Sequence, residues 1–231
     1  SPRTTSSVTR IVDALGILRA NPFPARIIGP VDTYFAGIAL SLDDEWAAAY
    51  ADISSAIQDP DFLPAFQEYR PGHHALTRDT CSMTRMGGSS KINVIPPEAW
   101  AEIDCRILPD RPAEEFIETF NGLVKDTGVK VEVIMAFTSA ISPTDSDLFK
   151  AIEEVTVDLY PNSSVVPSVS TGFTDSHFTR DLGIASYGFN PLIAKGDEFS
   201  GVHGNDEKVN EQAFRQGILD LTQIISRVVY D

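Results

Sequence analysis

Within residues 98 to 135 the hydrophobic period of this chain changes from two to 3.6 and back to two, and that switch restricts the folds open to it. Residues 98–108 alternate, with Ala101, Ile103, Cys105 and Ile107 on one side and Glu102, Asp104 and Arg106 on the other. This is the pattern of a strand with one core face and one wet face. Pro109-Asp110-Arg111-Pro112 then opens a helix whose Phe116, Ile117, Phe120, Leu123 and Val124 share a stripe. Asp110 is a candidate cap, Glu114 and Glu115 suit the positive end of the helix dipole, and Gly128 ends the helix. Val129, Val131, Val133 and Met135 return to period two as a further strand. Upstream, residues 75–86 read as a strand joined to 98–108 in one hairpin. Val8, Ile11, Val12, Leu15 and Leu18 mark an amphipathic helix over residues 5–20, which Asn21-Pro22 stops.

Helix, strand, strand, helix, strand is the order of a ferredoxin-like split βαβ unit lacking its first strand. That strand is central in the architecture, so its absence leaves a slot with unpaired backbone groups on both sides. The expectation is that the chain is the later part of a longer polypeptide, or that something else fills the slot. Residues 21–71, punctuated by proline and rich in aromatic side chains, read as an insertion with helical pattern near 43–57 and 60–66. After Ser142-Pro143 strand and helix alternate: a helix over 146–160, a buried strand over 164–169, a short helix over 175–182, a strand over 185–189, and a closing helix carrying Phe214, Ile218, Leu221, Ile225 and Val228. Such alternation describes one wing of an α/β domain. The fold class expected is therefore α/β with an α+β lid, with a boundary near residue 140 between 1–140 and 141–231.

With 231 residues, 42% of them apolar, the chain can bury a core. Its formal charge of −15 repels nucleic acid and anionic membrane surfaces. No apolar run approaches the roughly 20 residues a membrane span requires, and the Ser-Pro-Arg-Thr-Thr-Ser-Ser start lacks an apolar signal core, so the expected location is cytoplasmic. Cys81 and Cys105 fall on the two arms of the hairpin. They read as small buried free thiols of a reducing compartment, with a disulfide as the alternative.

The chemistry concentrates between Ser170 and Glu207. Ser-Thr-Gly-Phe-Thr-Asp-Ser-His-Phe (170–178) places small and hydroxylated residues before a short helix, where free N–H groups favour an anion. His203 lies in a glycine-flanked loop followed by Asp206 and Glu207, a setting for a metal-bound imidazole oriented by a carboxylate. His73-His74 reads as a solvated loop pair.

With these residues assembled, the chain resembles the zinc-dependent aminoacylase, acetylornithine deacetylase, succinyl-diaminopimelate desuccinylase and Gly-X carboxypeptidase family. Asn-Val-Ile-Pro-Pro-Glu-Ala-Trp-Ala-Glu-Ile-Asp-Cys-Arg-Ile-Leu-Pro (93–109) is similar to that family's lid signature. Residues 171–178 are similar to its Gly-Gly-Thr-Asp turn, and His203 to Glu207 to its final His-x-x-x-Glu. The resemblance implies a lid that pairs between subunits as a homodimer, and the last piece of a catalytic domain. It also implies a small-molecule substrate with a free carboxylate, an N-acyl amino acid or a peptide, and two zinc ions per active site, with cobalt as a substitute.

Residue by residue, it implies His203 as a metal ligand, Asn93 and Arg106 as lid groups holding the substrate carboxylate, and Gly172 and Thr174 as the substrate-binding turn. A guanidinium can grip a carboxylate through two parallel hydrogen bonds. The ordinary roles of these residues are a wet-face pair with Glu102 or Asp104 for Arg106, a turn position for Asn93 and a helix cap for Thr174. Phe173 and His177 depart from the pattern, where glycine and arginine are common. The family's other metal ligands and its general base have no counterpart among these residues, so no catalytic residue is assigned and the chain alone is expected to be inactive. The alternative is a non-catalytic module that dimerises or binds carboxylates.

Overall fold

The computed structural model describes residues 4–42, 45–138, 140–193, 199–202 and 204–230. The chain divides into two compact units, Ser1–Ile141 with Ser168–Phe173, and Ser142–Pro167 with Thr174–Asp231.

The first unit opens with α1 (Ser7–Ala20), started by a capping box in which Ser6 and Thr9 exchange side-chain and backbone bonds. Five short helices follow: α2 (Gly29–Ala39), α3 (Trp46–Ala51), α4 (Ile53–Ala56), α5 (Phe62–Tyr69) and α6 (Pro71–His74). They enclose an aromatic core of Val31, Phe35, Tyr50, Ile53 and Phe66, each at most 1% exposed. Burying each such side chain contributes about 2 kcal/mol. The chain then forms the antiparallel hairpin β1 (Thr80–Gly87) and β2 (Trp100–Arg106), followed by α7 (Ala113–Val124). A bulge at Thr84 shifts the register, setting Arg85 opposite Glu102 and Met86 opposite Ala101. Gly128, at φ 73°, terminates the turn after α7 in the left-handed conformation that glycine accepts most readily.

Two expectations are corrected in this unit. Cys81 and Cys105 are not free thiols: they face each other in the ladder and are joined as a disulfide. Directly opposed residues share one side of the sheet, which brings their Sγ atoms within bonding reach. Residues 129–135 were expected as a strand but join no ladder among the described residues. In the split βαβ order their neighbour would be the absent first strand, and a strand without a neighbour has no hydrogen-bond partners to fix it. Val133, Ile134 and Met135 are accordingly exposed.

The second unit consists of α8 (Asp147–Leu159), α9 (Ser176–Asp181), the two-residue pair β3 (Phe199–Ser200) and β4 (Lys208–Val209), and α10 (Glu211–Tyr230). Ser146 caps α8 by accepting the Phe149 N–H. Ala151, Ile152, Val155 and Ile224 form its core. Across this α8–α10 contact the buried Asp220 accepts a bond from the Tyr160 hydroxyl at 2.7 Å, and within α10 it accepts one from the Gln216 amide at 2.8 Å. The strands expected over 164–169 and 185–189 form no ladder among the described residues. A buried strand of this kind needs neighbours on both sides, and none is supplied. The predicted stripe of α10 also differs: Phe214, Ile218, Leu221, Ile225 and Val228 are 40% to 52% exposed, while Gly217, Asp220 and Ile224 face the core.

Candidate functional site

Arg106 is the last residue of β2, on the wet face, and donates to Asp104 Oδ2 at 2.7 Å. Both side chains are nearly half exposed, so the guanidinium is tethered but remains accessible. Asn93 sits in an exposed turn closed by the Val94 N–H on the Lys91 carbonyl. The connector bearing Asn93 enters β2 at Trp100, while Arg106 leaves at the other end, about 20 Å away by strand rise. No hydrogen bond joins the two among the described residues.

In the same unit Gly172 donates its N–H to Ser170 Oγ at 3.1 Å. A Cβ added at Gly172 would meet only that hydroxyl, at 3.5 Å, so its surface is open to close approach. Phe173 packs its ring on Phe137 with centroids 4.8 Å apart.

In the second unit the Thr174 carbonyl receives the His177 N–H, and His177 Nδ1 lies 3.2 Å from it. No side-chain bond caps α9, so the capping role considered for the Thr174 hydroxyl is not seen. His177 is buried and its ring rests on Phe178. His203 lies outside the described residues. The loop around it is closed by the β3–β4 pair and by the Gly204 N–H on the Gly201 carbonyl at 2.6 Å. Gly201 has φ 75°, and a Cβ there would fall 2.8 Å from the Asp206 carbonyl oxygen, so glycine is required at this bend.

Two polar clusters escaped the sequence. His73 is half-buried and tied to two tyrosines: Tyr50 OH lies 2.6 Å from its Nδ1 and Tyr34 OH 3.3 Å from its Nε2. The aromatic core explains this placement, since Phe35 and Tyr50 both pack edge-on against the ring. Burial, with Arg70 nearby, holds the His73 imidazole below its usual range. His74 is buried outright, and burial together with Arg78 pushes it down to about 4.

The second cluster centres on Asp79, whose side chain is fully buried. It accepts from Arg26 Nη1 at 3.0 Å and Nη2 at 2.9 Å, from Arg111, and from the Leu108 N–H at 2.8 Å. Arg26 also binds Asp110 through Nε and Nη2, both at 2.7 Å, which holds the Asp110 carboxyl below its usual range. Four charged residues from distant sequence positions meet here, and no local periodicity marks such a hub.

Among the described residues no group of three or more His, Cys, Asp or Glu side chains is placed to hold a metal ion. The described residues therefore do not by themselves build a metal centre.

The order of α1, β1, β2 and α7 is that of a split βαβ module without its first strand. The family model described as peptidase dimerisation domain, M20, matches residues 12–132, just over half of the chain, and the chain belongs to that family. It is 33% identical over 162 residues to the mouse (Mus musculus) N-fatty-acyl-amino acid synthase/hydrolase PM20D1, covering 68% of this chain and 32% of that protein. To the probable carboxypeptidase S-like 2 of Dictyostelium discoideum it is 27% identical over 149 residues, covering 64% and 29%. The fold is similar to that of the M20 family metallo-carboxypeptidase Sso-CP2 from Sulfolobus solfataricus, with TM-score 0.60, 16% identity, and coverage of 97% of this chain and 53% of that one. The chain thus spans about a third of the length of the curated relatives it matches.

Proposed function

We propose that this chain is the lid and closing catalytic segment of a metal-dependent hydrolase. Its substrate is the amide bond of an N-acyl amino acid or peptide with a free carboxylate. The reading is carried by the family match over 12–132, which embraces both Asn93 and Arg106. In it Arg106 and Asn93 hold the substrate carboxylate, and Gly172 and Thr174 present the turn against which the substrate lies. His203 supplies one imidazole to a pair of zinc ions, or cobalt in their place, while the remaining donors and the general base come from polypeptide outside these 231 residues. When bound, such a metal pair polarises the carbonyl and lowers the pKa of the attacking water.

Two structural features support a larger whole. Phe214, Ile218, Leu221, Ile225 and Val228 follow a 4-3-4-3 spacing along α10 and are left wet. Residues 129–135 join no ladder among the described residues. Both are surfaces that further polypeptide would cover. The free edge of β1 is the surface we assign to pairing of two lids as a homodimer. No helix among the described residues is long and apolar enough to cross a membrane.

The test uses the full polypeptide containing this chain, loaded with Zn²⁺ or Co²⁺ and offered a panel of N-acyl amino acids and dipeptides. Chelator-sensitive release of free amino acid is expected, and none from the 231-residue chain alone. Absence of release by the loaded full polypeptide would reject the hydrolase and leave a carboxylate-binding or dimerisation module.

A further inference from the structure

We propose that the Cys81–Cys105 disulfide is a covalent pin that positions Arg106, and that it is closed by thiol–disulfide exchange in an oxidising compartment. The inference rests on the reading of Arg106 as a ligand for the substrate carboxylate. In the ladder Thr80 faces Arg106 and Cys81 faces Cys105. Two residues beyond Arg106 on the other side, the buried Asp79 carboxylate accepts the N–H of Leu108 at 2.8 Å. Arg106 therefore lies between two cross-ties, a covalent one at 81–105 and a polar one at 79–108.

The need for such a pin follows from what the hairpin lacks. The connector runs from residue 88 to 99, too long for a tight turn to dictate register. Register is what decides the outcome: a slip of one residue would turn Arg106 from the wet face to the face shared by Ala101, Ile103 and Cys105. A disulfide across a sequence separation of 24 forbids that slip. The sulfurs occupy the face opposite Arg106, so the pin does not crowd the guanidinium, which remains accessible on its Asp104 tether.

Closure joins the two Sγ atoms and releases the two thiol protons. The two electrons and those two protons pass to an incoming disulfide, which leaves as a dithiol. These are the only cysteines of the 231 residues, and each is the other's ladder partner. A closed pair of this kind persists in the secretory lumen, the periplasm or the cell exterior, which replaces the cytoplasmic location expected from the sequence.

The experiment uses the metal-loaded full polypeptide. Thiols are counted with a chromogenic reagent under denaturing, non-reducing conditions on protein from its native source. These two positions should contribute none, and two free thiols there would overturn the proposal. KM and kcat for an N-acyl amino acid are then measured for the wild type, for the Cys81→Ser/Cys105→Ser pair and for Arg106→Lys. The cysteine pair is expected to raise KM about tenfold and leave kcat within about twofold, as loss of ground-state positioning does. Dithiothreitol should reproduce the shift in the wild type and add nothing to the cysteine variant. A lowered Tm with unchanged KM would make the bond a structural staple only and overturn the proposal. Arg106→Lys separates the two readings. If it raises KM while the cysteine pair does not, this proposal alone falls; if it leaves KM unchanged, the carboxylate reading of Arg106 falls and takes the pin with it.

Discussion

Replacing Asp79 by alanine should be the most damaging single truncation of a polar residue in the first unit. The carboxylate is fully buried, whereas its partners Arg26 and Arg111 are only about three-quarters so, with side chains 26% and 23% exposed. Removing one partner of a buried ion pair costs about 3–5 kcal/mol. Two corrections to that figure oppose each other. Arg26 keeps Asp110 and some water, which lowers the penalty. The orphaned Leu108 N–H adds about 1–3 kcal/mol. A loss of about 4 kcal/mol follows, a large part of the 5–15 kcal/mol typical of a domain. Urea denaturation of the 231-residue chain, followed by near-ultraviolet circular dichroism from the aromatic core, reads it directly. Arg85→Ala is the control: its bridge to Glu102, from Nη1 to both carboxylate oxygens, is exposed, with the arginine 66% accessible, and should contribute less than about 1 kcal/mol. A loss below about 1 kcal/mol for Asp79→Ala, or equal losses for the two variants, would show that burial does not set the strength of these bridges.

Other expectations concern both units. At Gly217 an added Cβ would lie 2.6 Å from the Pro191 carbonyl oxygen, so Gly217→Ala should destabilise the second unit by about 2 kcal/mol despite its better helix propensity; calorimetry would show it, and a stabilised variant would contradict the packing. His74 is held near 4 when folded against an ordinary 6.5, so the unfolded chain binds the proton more readily. That contribution to stability is therefore complete above about pH 6.5 and is lost as pH falls toward 4. His74→Leu should flatten the pH dependence across that window, and an unaltered slope would refute the assignment. Ile218→Glu should leave the isolated chain's stability within about 0.5 kcal/mol, because the side chain is 52% exposed there, yet block folding of the full polypeptide. Normal yield and activity of that variant would show that the stripe stays wet.

Helices were the most legible part of the sequence. The stripes behind α1, α7 and α8 and the short α9 follow from local spacing and from stop signals such as Asn21-Pro22 and Gly128. In β2 the alternation of Ala101, Ile103 and Cys105 against Asp104 and Arg106 matches half-buried against exposed positions, while Glu102 is half-buried too. Strands were legible only where a neighbour exists. Val129 to Met135 have the right period but no partner, and hydrogen bonding rather than pattern decides whether a ladder forms. The α10 stripe shows the same gap, since periodicity finds an apolar face without saying what covers it. Side-chain meetings across long separations were not legible at all. Arg26 and Asp79 lie 53 residues apart, and Tyr34 and His73 lie 39. For the candidate site, sequence supplied residue identities and motif order, and the structure adds the Asp104 tether on Arg106 and the glycine-tightened bend before His203.

The helical insertion is tied off at its neck. Arg26 donates its backbone N–H to the Thr77 carbonyl at 2.7 Å while its side chain grips Asp79, so the excursion through α2 to α6 leaves and rejoins the lid at nearly one point. Of the nine buried members of its core, eight lie between Ile28 and Leu76, and only Leu108 is borrowed. A segment that closes on itself in this way behaves like a bead threaded onto the hairpin scaffold. It can be exchanged for a short turn, or enlarged, with little disturbance to the ladder beneath, which leaves evolution free to vary it while the strands that present Arg106 stay fixed.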